Sequence, residues 1–203
     1  PVAIFPAGTA NDFASCFDIP TGIDAMIDTA LSDCYAEADV GRYNDRFFVN
    51  VAAIGSVIDV SQKTDTNMKN VLGVMAYYLT ALSEIPSLKP VEITVKTPEK
   101  EVTEKIFFMV VLNGTSAGGF RNLGVRSSVS DGLLDIIMFK TMNFIQLPAL
   151  LVDVLQGTLE DNENVIYCQA SEVRIESPED VSTDIDGEVG EPLPLDIGIL
   201  KKR

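Results

Sequence analysis

The feature that most constrains this chain is the succession of short apolar runs, rich in β-branched and aromatic residues, that fills its second half. Residues 91–96 (VEITVK) alternate apolar and polar, 106–112 (IFFMVVL) and 133–139 (LLDIIMF) are nearly continuous, and 166–175 and 193–200 return to alternation. Gly, Asn, Asp or Ser bound each run, so strands separated by turns are expected. Many short strands with turns between them favour a mainly β fold, a two-layer β-sandwich with a few helices, over a βαβ sheet. Residues 144–155 read as one intervening helix that tolerates Pro148 in its first turn.

The first half is mixed. Residues 2–5 read as a short buried strand, 6–9 as a Gly-containing turn and Asn11 onward as a helix start. Helical spacing recurs over 23–31, strand alternation over 34–40, a turn over 41–45 and a Phe- and Val-rich partner strand over 46–53. Residues 68–82 carry apolar side chains on one helical face. The opening strand, loop and helix look like the remnant of a different α/β unit, which divides the chain into residues 1–33 and 34–203. A start at Pro1, directly on an apolar run, looks like a cut inside a fold.

Charge and composition narrow the function. With 15 Lys plus Arg against 30 Asp plus Glu, the net charge of -15 repels a phosphate backbone and an anionic bilayer, so no nucleic-acid partner is expected. The chain has no histidine, which removes Ser-His and Cys-His nucleophiles and His-ligated zinc, and leaves proton transfer to carboxylates. Cys16, Cys34 and Cys168 are odd in number and far apart, as for reduced thiols in a cytosolic protein. The longest apolar stretch, 71–82, is too short for a membrane-spanning helix. A cytoplasmic protein, peripheral at the membrane at most, is expected.

Four stretches carry candidate chemistry. In Pro6-Ala7-Gly8-Thr9-Ala10-Asn11-Asp12-Phe13-Ala14, a Gly-Thr turn precedes a helix start, where backbone amides of Gly8, Thr9 and Asn11 could hold a phosphate. The plainer account is a strand-helix turn capped by Asn11 or Asp12. Ser130-Asp131-Gly132 is a hairpin signal, or a turn whose Asp131 and carbonyls bind a hard cation. In Asp184-Ile185-Asp186-Gly187-Glu188, alternation puts Asp184 and Asp186 on one face, which suits one of them to act as a base; a solvated acidic hairpin is the alternative. The loop 112–119 (LNGTSAGG) lets a backbone approach either a ligand or another strand closely.

Together these stretches resemble, in type and order, the diacylglycerol kinase catalytic family, which includes bacterial diacylglycerol kinases and the sphingosine and ceramide kinases. Residues 6–14 look like its P-x-G-T-G/A-N-D-F-A segment, 50–55 like N-V-A-x-I-G and 112–119 like N-G-x-x-x-G-G. Residues 130–135 look like S-D-G-L-L-D, and 186–188 like D-G-E. The resemblance implies the C-terminal part of a two-domain enzyme that passes the γ-phosphoryl group of ATP to the hydroxyl of a diacylglycerol-like lipid. Gly8 and Thr9 would border the nucleotide phosphates, with Asn11 and Asp12 bracing that loop. Asp186 would accept the hydroxyl proton and Glu188 would help place Mg2+. Carboxylates, a metal and backbone amides suffice for such a transfer, so the missing histidines fit.

A second, non-catalytic magnesium site of some bacterial members would fall here on Ser128, Asp131 and Leu133, with only a carbonyl or hydroxyl at Ser128. Val57 stands where the family often has an acidic residue. The family's G-G-D-G-T nucleotide loop is not in these residues, so the chain by itself is expected to be inactive. The partners implied are a lipid with a free hydroxyl and transient contact with a membrane, and a homodimer stays open. The competing readings are a kinase of a soluble acceptor, of the NAD-kinase type, and a non-catalytic β-sandwich binding module.

Overall fold

The computed structural model describes residues 2–8, 10–56, 58, 89–121, 123–124 and 126–201. Eleven strands dominate the described residues: β1 (Val40–Tyr43), β2 (Arg46–Phe48), β3 (Val51–Gly55), β4 (Val91–Lys96), β5 (Glu101–Leu112), β6 (Leu134–Lys140), β7 (Val165–Ala170), β8 (Glu172–Glu176), β9 (Thr183–Ile185), β10 (Glu188–Val189) and β11 (Leu195–Leu200). Fully described α-helices are α1 (Asp12–Ser15), α2 (Ile23–Leu31) and α3 (Leu147–Gln156), the last with Pro148 in its first turn and Gly157 in a left-handed C-terminal cap. The expected mainly β class holds. The helix expected over 68–82 lies outside the described residues.

The strands pair antiparallel along the path β10-β9-β3-β5-β4-β8-β11-β1-β2, with β6 and β7 branching from β5. The twelve-residue β5 makes this possible: its first half pairs with β4, and its second half lies between β3 and β6. A register shift between Ile106 and Phe108 breaks its alternation. Ile106 and Met109, an odd number of residues apart, therefore face the same core.

That core lies where the sheet curls over itself. Ile54, Ile93, Met109, Ile136, Ile175 and Leu195 meet there, each at most 0% exposed. Full burial of such side chains contributes about 1.5–3 kcal/mol each. The opposite face of β3, β5 and β6 carries a second cluster of Ala53, Val110, Leu112 and Ile137, which packs against Val154 of α3 and Leu159.

The two ends of the path, β10 and β2, meet through side chains. Arg46 pairs with Glu191 at 3.1 Å, and the Asp186 carboxylate accepts the Val49 amide at 2.7 Å.

Several expectations need correction. Residues 2–5 form no strand: they are extended, with Val2 91% and Phe5 52% exposed, and no described strand pairs with them. An apolar run becomes a strand only when a neighbour takes up its backbone groups. The strand expected over 34–40 begins only at Val40. The run 46–53 is two strands, because Asp186 captures the amides of Val49, Asn50 and Val51 and turns the chain between them. Likewise 166–175 breaks at Ser171, whose carbonyl accepts the Ile199 amide at 3.0 Å.

Candidate functional site

Asp186 sits in the turn between β9 and β10 with φ of 52°, in the left-handed region that Asp and Gly tolerate best. This takes it out of the extended alternation, so Asp184 and Asp186 do not share a face as a continuous strand would require. Asp184 instead closes the turn, accepting the Gly187 amide at 2.8 Å. The Asp186 carboxylate accepts three backbone amides: Val49 on Oδ2 at 2.7 Å, and Asn50 at 3.0 Å and Val51 at 2.8 Å on Oδ1. Its own amide donates to the Val51 carbonyl at 2.9 Å. A carboxylate offers about four lone-pair positions. Oδ2 therefore keeps one position on an exposed residue, and that position can take a proton or a hydroxyl hydrogen. Glu188 is exposed at the start of β10.

Behind Asp186 lies a polar hub of residues the motif reading left without a role. The Asn113 amide donates to the Asn50 carbonyl at 2.9 Å. The Asn113 side chain, wholly buried, donates to the carbonyls of Asp39 at 2.8 Å and Val49 at 3.0 Å. The side-chain oxygens of Asn50 and Asn113 are buried without a partner among the described residues. Asp39, 1% exposed, accepts the Gly132 amide at 2.6 Å. The available signal was an Asn closing an apolar run at both positions 50 and 113, where a polar amide is out of place unless the backbone needs it.

The hub reaches the Gly8 loop through Gly114. A Cβ there would lie 2.9 Å from Cys16 Sγ and 3.2 Å from a Val129 methyl, so only Gly fits. Asp12 opens α1 and accepts the Gly119 amide at 2.9 Å, which ties the start of the chain to the glycine loop. Burial raises the Asp12 pKa, against hydrogen bonds from the Gly119 and Gly118 backbone that lower it.

Asn11 stands at the cap position of α1 but makes no side-chain cap bond. With φ of 52° it turns back, accepting the Gly8 amide at 2.8 Å and donating to the Gly8 carbonyl at 2.7 Å. The Gly8 amide is thus engaged within the loop. Thr9 lies outside the described residues.

At the third candidate, the Asp131 carboxylate accepts the Leu133 amide at 2.9 Å, and the Asp131 amide donates to the Ser128 carbonyl at 3.4 Å. Ser128 and Ser130 share a hydroxyl contact at 3.4 Å. Asp131 is the only carboxylate of this set, and no group of three or more Asp, Glu, Cys or His able to hold a metal occurs among the described residues. A hard cation such as Mg2+ keeps several waters, so Asp131 with the turn oxygens of Ser128 and Leu133 would supply only part of its shell. Two residues on, Asp135 is wholly buried. Burial pushes its pKa up to about 6, against the lowering influence of Ser127 and Gln169. The Tyr167 hydroxyl donates to Asp135 and accepts the Arg126 amide at 3.3 Å.

A concavity of about 460 Å³ holds none of these groups. It lies over β1, β8 and β11, between Arg42, Lys96, Arg174 and Asp196. No helix among the described residues is long and apolar enough to cross a membrane.

Comparison with known proteins fits this geometry. Residues 51–202 match the YegS C-terminal NAD kinase beta sandwich-like domain, and residues 1–43 match the diacylglycerol kinase catalytic domain. A diacylglycerol kinase of Bacillus subtilis is 30% identical over 194 residues, covering 95% of this chain and 64% of that protein. One from Staphylococcus epidermidis is 29% identical, covering 95% of this chain and 61% of its own length. The chain thus spans less than two thirds of these relatives. A crystal structure of a diacylglycerol kinase from Bacillus anthracis superposes with a TM-score of 0.79 at 24% identity, over 98% of this chain and 65% of that one, and shows the same fold.

Proposed function

We propose that this chain, which belongs to the diacylglycerol kinase family, is the acceptor side of an ATP-dependent lipid kinase that phosphorylates the free hydroxyl of a diacylglycerol-like lipid. Residues 1–33 go with the nucleotide side and 34–203 with the acceptor side. The observation that carries the reading is a path of hydrogen bonds from Asp186 to Asn50 and from Asn50 to Asn113, at the start of the glycine loop whose Gly119 amide donates to Asp12, beside Asn11. It joins an exposed carboxylate with a vacant lone pair to the helix start beside the Gly8 loop.

In this reading Asp186 Oδ2 accepts the hydroxyl proton as the lipid oxygen bonds to the γ-phosphorus and the bond to the β-phosphate oxygen breaks, releasing ADP. The amides of Val49, Asn50 and Val51 fix the carboxylate, so its free lone pair has one direction. Asn11 and Asp12 brace the loop that borders the phosphates. Glu188 adds a second exposed carboxylate beside the turn, and magnesium accompanying ATP would supply charge neutralisation there. No step runs through Ser128, Asp131 or Leu133.

The test gives the natural protein carrying these residues γ-labelled ATP together with diacylglycerol, a sphingoid base and NAD. Label is expected in diacylglycerol. Label in NAD alone would establish the soluble-acceptor reading, which the NAD kinase-like description of residues 51–202 favours.

A further inference from the structure

Two successive peptide groups, the one joining Val49 to Asn50 and the one joining Asn50 to Val51, are gripped at both ends. At their amide ends, the N–H groups of Asn50 and Val51 donate to Asp186 Oδ1 at 3.0 and 2.8 Å. At their carbonyl ends, the Val49 oxygen accepts Asn113 Nδ2 at 3.0 Å and the Asn50 oxygen accepts the Asn113 backbone amide at 2.9 Å. The C=O and N–H of a trans peptide point in opposite directions, so Asn113 and Asp186 face each other across both groups. A donor on each carbonyl also polarises its peptide and strengthens the N–H bond to the carboxylate beyond.

Asn113 is itself immobile. It is wholly buried directly after β5, and its Nδ2 also donates to the Asp39 carbonyl at 2.8 Å. Both partners of Nδ2 are carbonyl oxygens, so only an NH2 group fits there; a carboxylate would set acceptor against acceptor.

From this arrangement we infer that Asn113 is a positioning residue for the acceptor-side base: it orients the two peptide groups that hold Asp186 Oδ1, and so leaves Oδ2 as the oxygen directed at the incoming hydroxyl. The inference rests on the reading of Asp186 as the base of the proposed kinase. Both bonds to Oδ1 come from peptides that Asn113 holds, whereas Oδ2 takes the Val49 amide alone among the described residues. Loss of the Asn113 side-chain donor frees the Val49 carbonyl, lets the first peptide rotate and turns the carboxylate away from its working direction.

The test is a double-mutant cycle in the natural protein carrying these residues, read as transfer of label from γ-labelled ATP to diacylglycerol. Asn113→Ser keeps the backbone donor to Asn50 and offers one hydroxyl donor in place of the NH2 group. Its kcat is expected to fall about 10–100-fold, with KM for ATP unchanged. In the Asp186→Asn background the same substitution should change kcat by less than about twofold, because the group it positions is already gone. A side chain that only supports the fold would cost the same factor in both backgrounds. Wild-type kcat in a folded Asn113→Ser variant, or losses that multiply, would overturn the inference.

A second arm needs neither kinase activity nor a change at Asn113. With 15N-asparagine in the natural protein, Asp186→Asn should shift the Asn113 side-chain NH2 resonances, whereas those of Asn162, which donates to Asp153, should stay in place. Unmoved Asn113 resonances would overturn the inference even if Asn113→Ser does not fold. Wild-type transfer by Asp186→Asn would instead sink the reading of Asp186 as the base, and the resonances would still decide whether Asn113 and Asp186 are coupled.

Discussion

Asp186 and Val51 hold each other twice: the Asp186 carboxylate accepts the Val51 amide at 2.8 Å, and the Val51 carbonyl accepts the Asp186 amide at 2.9 Å. This reciprocal pair fixes the β9–β10 turn against the start of β3, and the same carboxylate bends the chain out of β2. Asp186→Ala should therefore cost stability as well as activity. Three amides would lose a charged acceptor, worth roughly 2–4 kcal/mol after partial rehydration. Urea unfolding should show a lower midpoint with an unchanged slope.

Asp135 makes stability depend on pH in the direction opposite to a salt-bridged carboxylate. Its folded pKa, about 6, lies above the ordinary aspartate value of 3.8, so the folded state holds the proton more tightly than the unfolded one. The stabilisation is complete below about pH 4 and is lost as pH rises through about 6, a change on the order of 3 kcal/mol. Asp135→Asn should remove that dependence. The stability difference, variant minus wild type, is expected to rise between pH 4 and 6.5, and a flat difference would show that Asp135 titrates normally.

Gly114 and Cys16 should be energetically coupled. Gly114→Ala places a methyl 2.9 Å from Cys16 Sγ, and such overpacking typically costs about 1–3 kcal/mol. Cys16→Ala removes the sulfur and should recover part of that loss, so a double-mutant cycle of thermal melts should show an interaction energy of about 0.5 kcal/mol or more. Strict additivity would mean that the opening segment does not pack on the glycine loop.

The Gly8 loop depends on Asn11 in two separable ways. Asn11→Gly keeps the backbone free to adopt φ of 52° but loses both hydrogen bonds to Gly8, whereas Asn11→Ala loses the bonds and adds left-handed strain. That strain is worth about 1–2 kcal/mol, and Ala should be the less stable of the two by that amount. Hydrogen exchange at the Gly8 amide should quicken in both.

Much of the fold could be read from periodicity, because β4 and α2 end where their apolar patterns end, at Lys96 and Leu31. Two errors have a common cause, which is that local pattern says nothing about who supplies the partner. Residues 2–5 have strand composition but no described strand beside them, and 46–53 has continuous strand composition but is cut by a carboxylate more than a hundred positions away. The candidate residues Asp12, Asn11, Asp131 and Asp186 were visible as motif members. Asn50 and Asn113 were motif members too, but the hub they build with Asp39 was not legible, since a buried amide is recognised only once the carbonyls it serves are known.

The central claim, that Asp186 is the acceptor-side base of a lipid kinase, is tested most directly by Asp186→Asn in the natural protein carrying this chain. Asn tolerates the left-handed turn and nearly preserves its shape, but cannot take up the hydroxyl proton. Transfer of label from γ-labelled ATP to diacylglycerol should fall by about 10²–10⁴-fold, while ATP still binds and the protein stays folded by circular dichroism. Transfer at the wild-type rate would contradict the account.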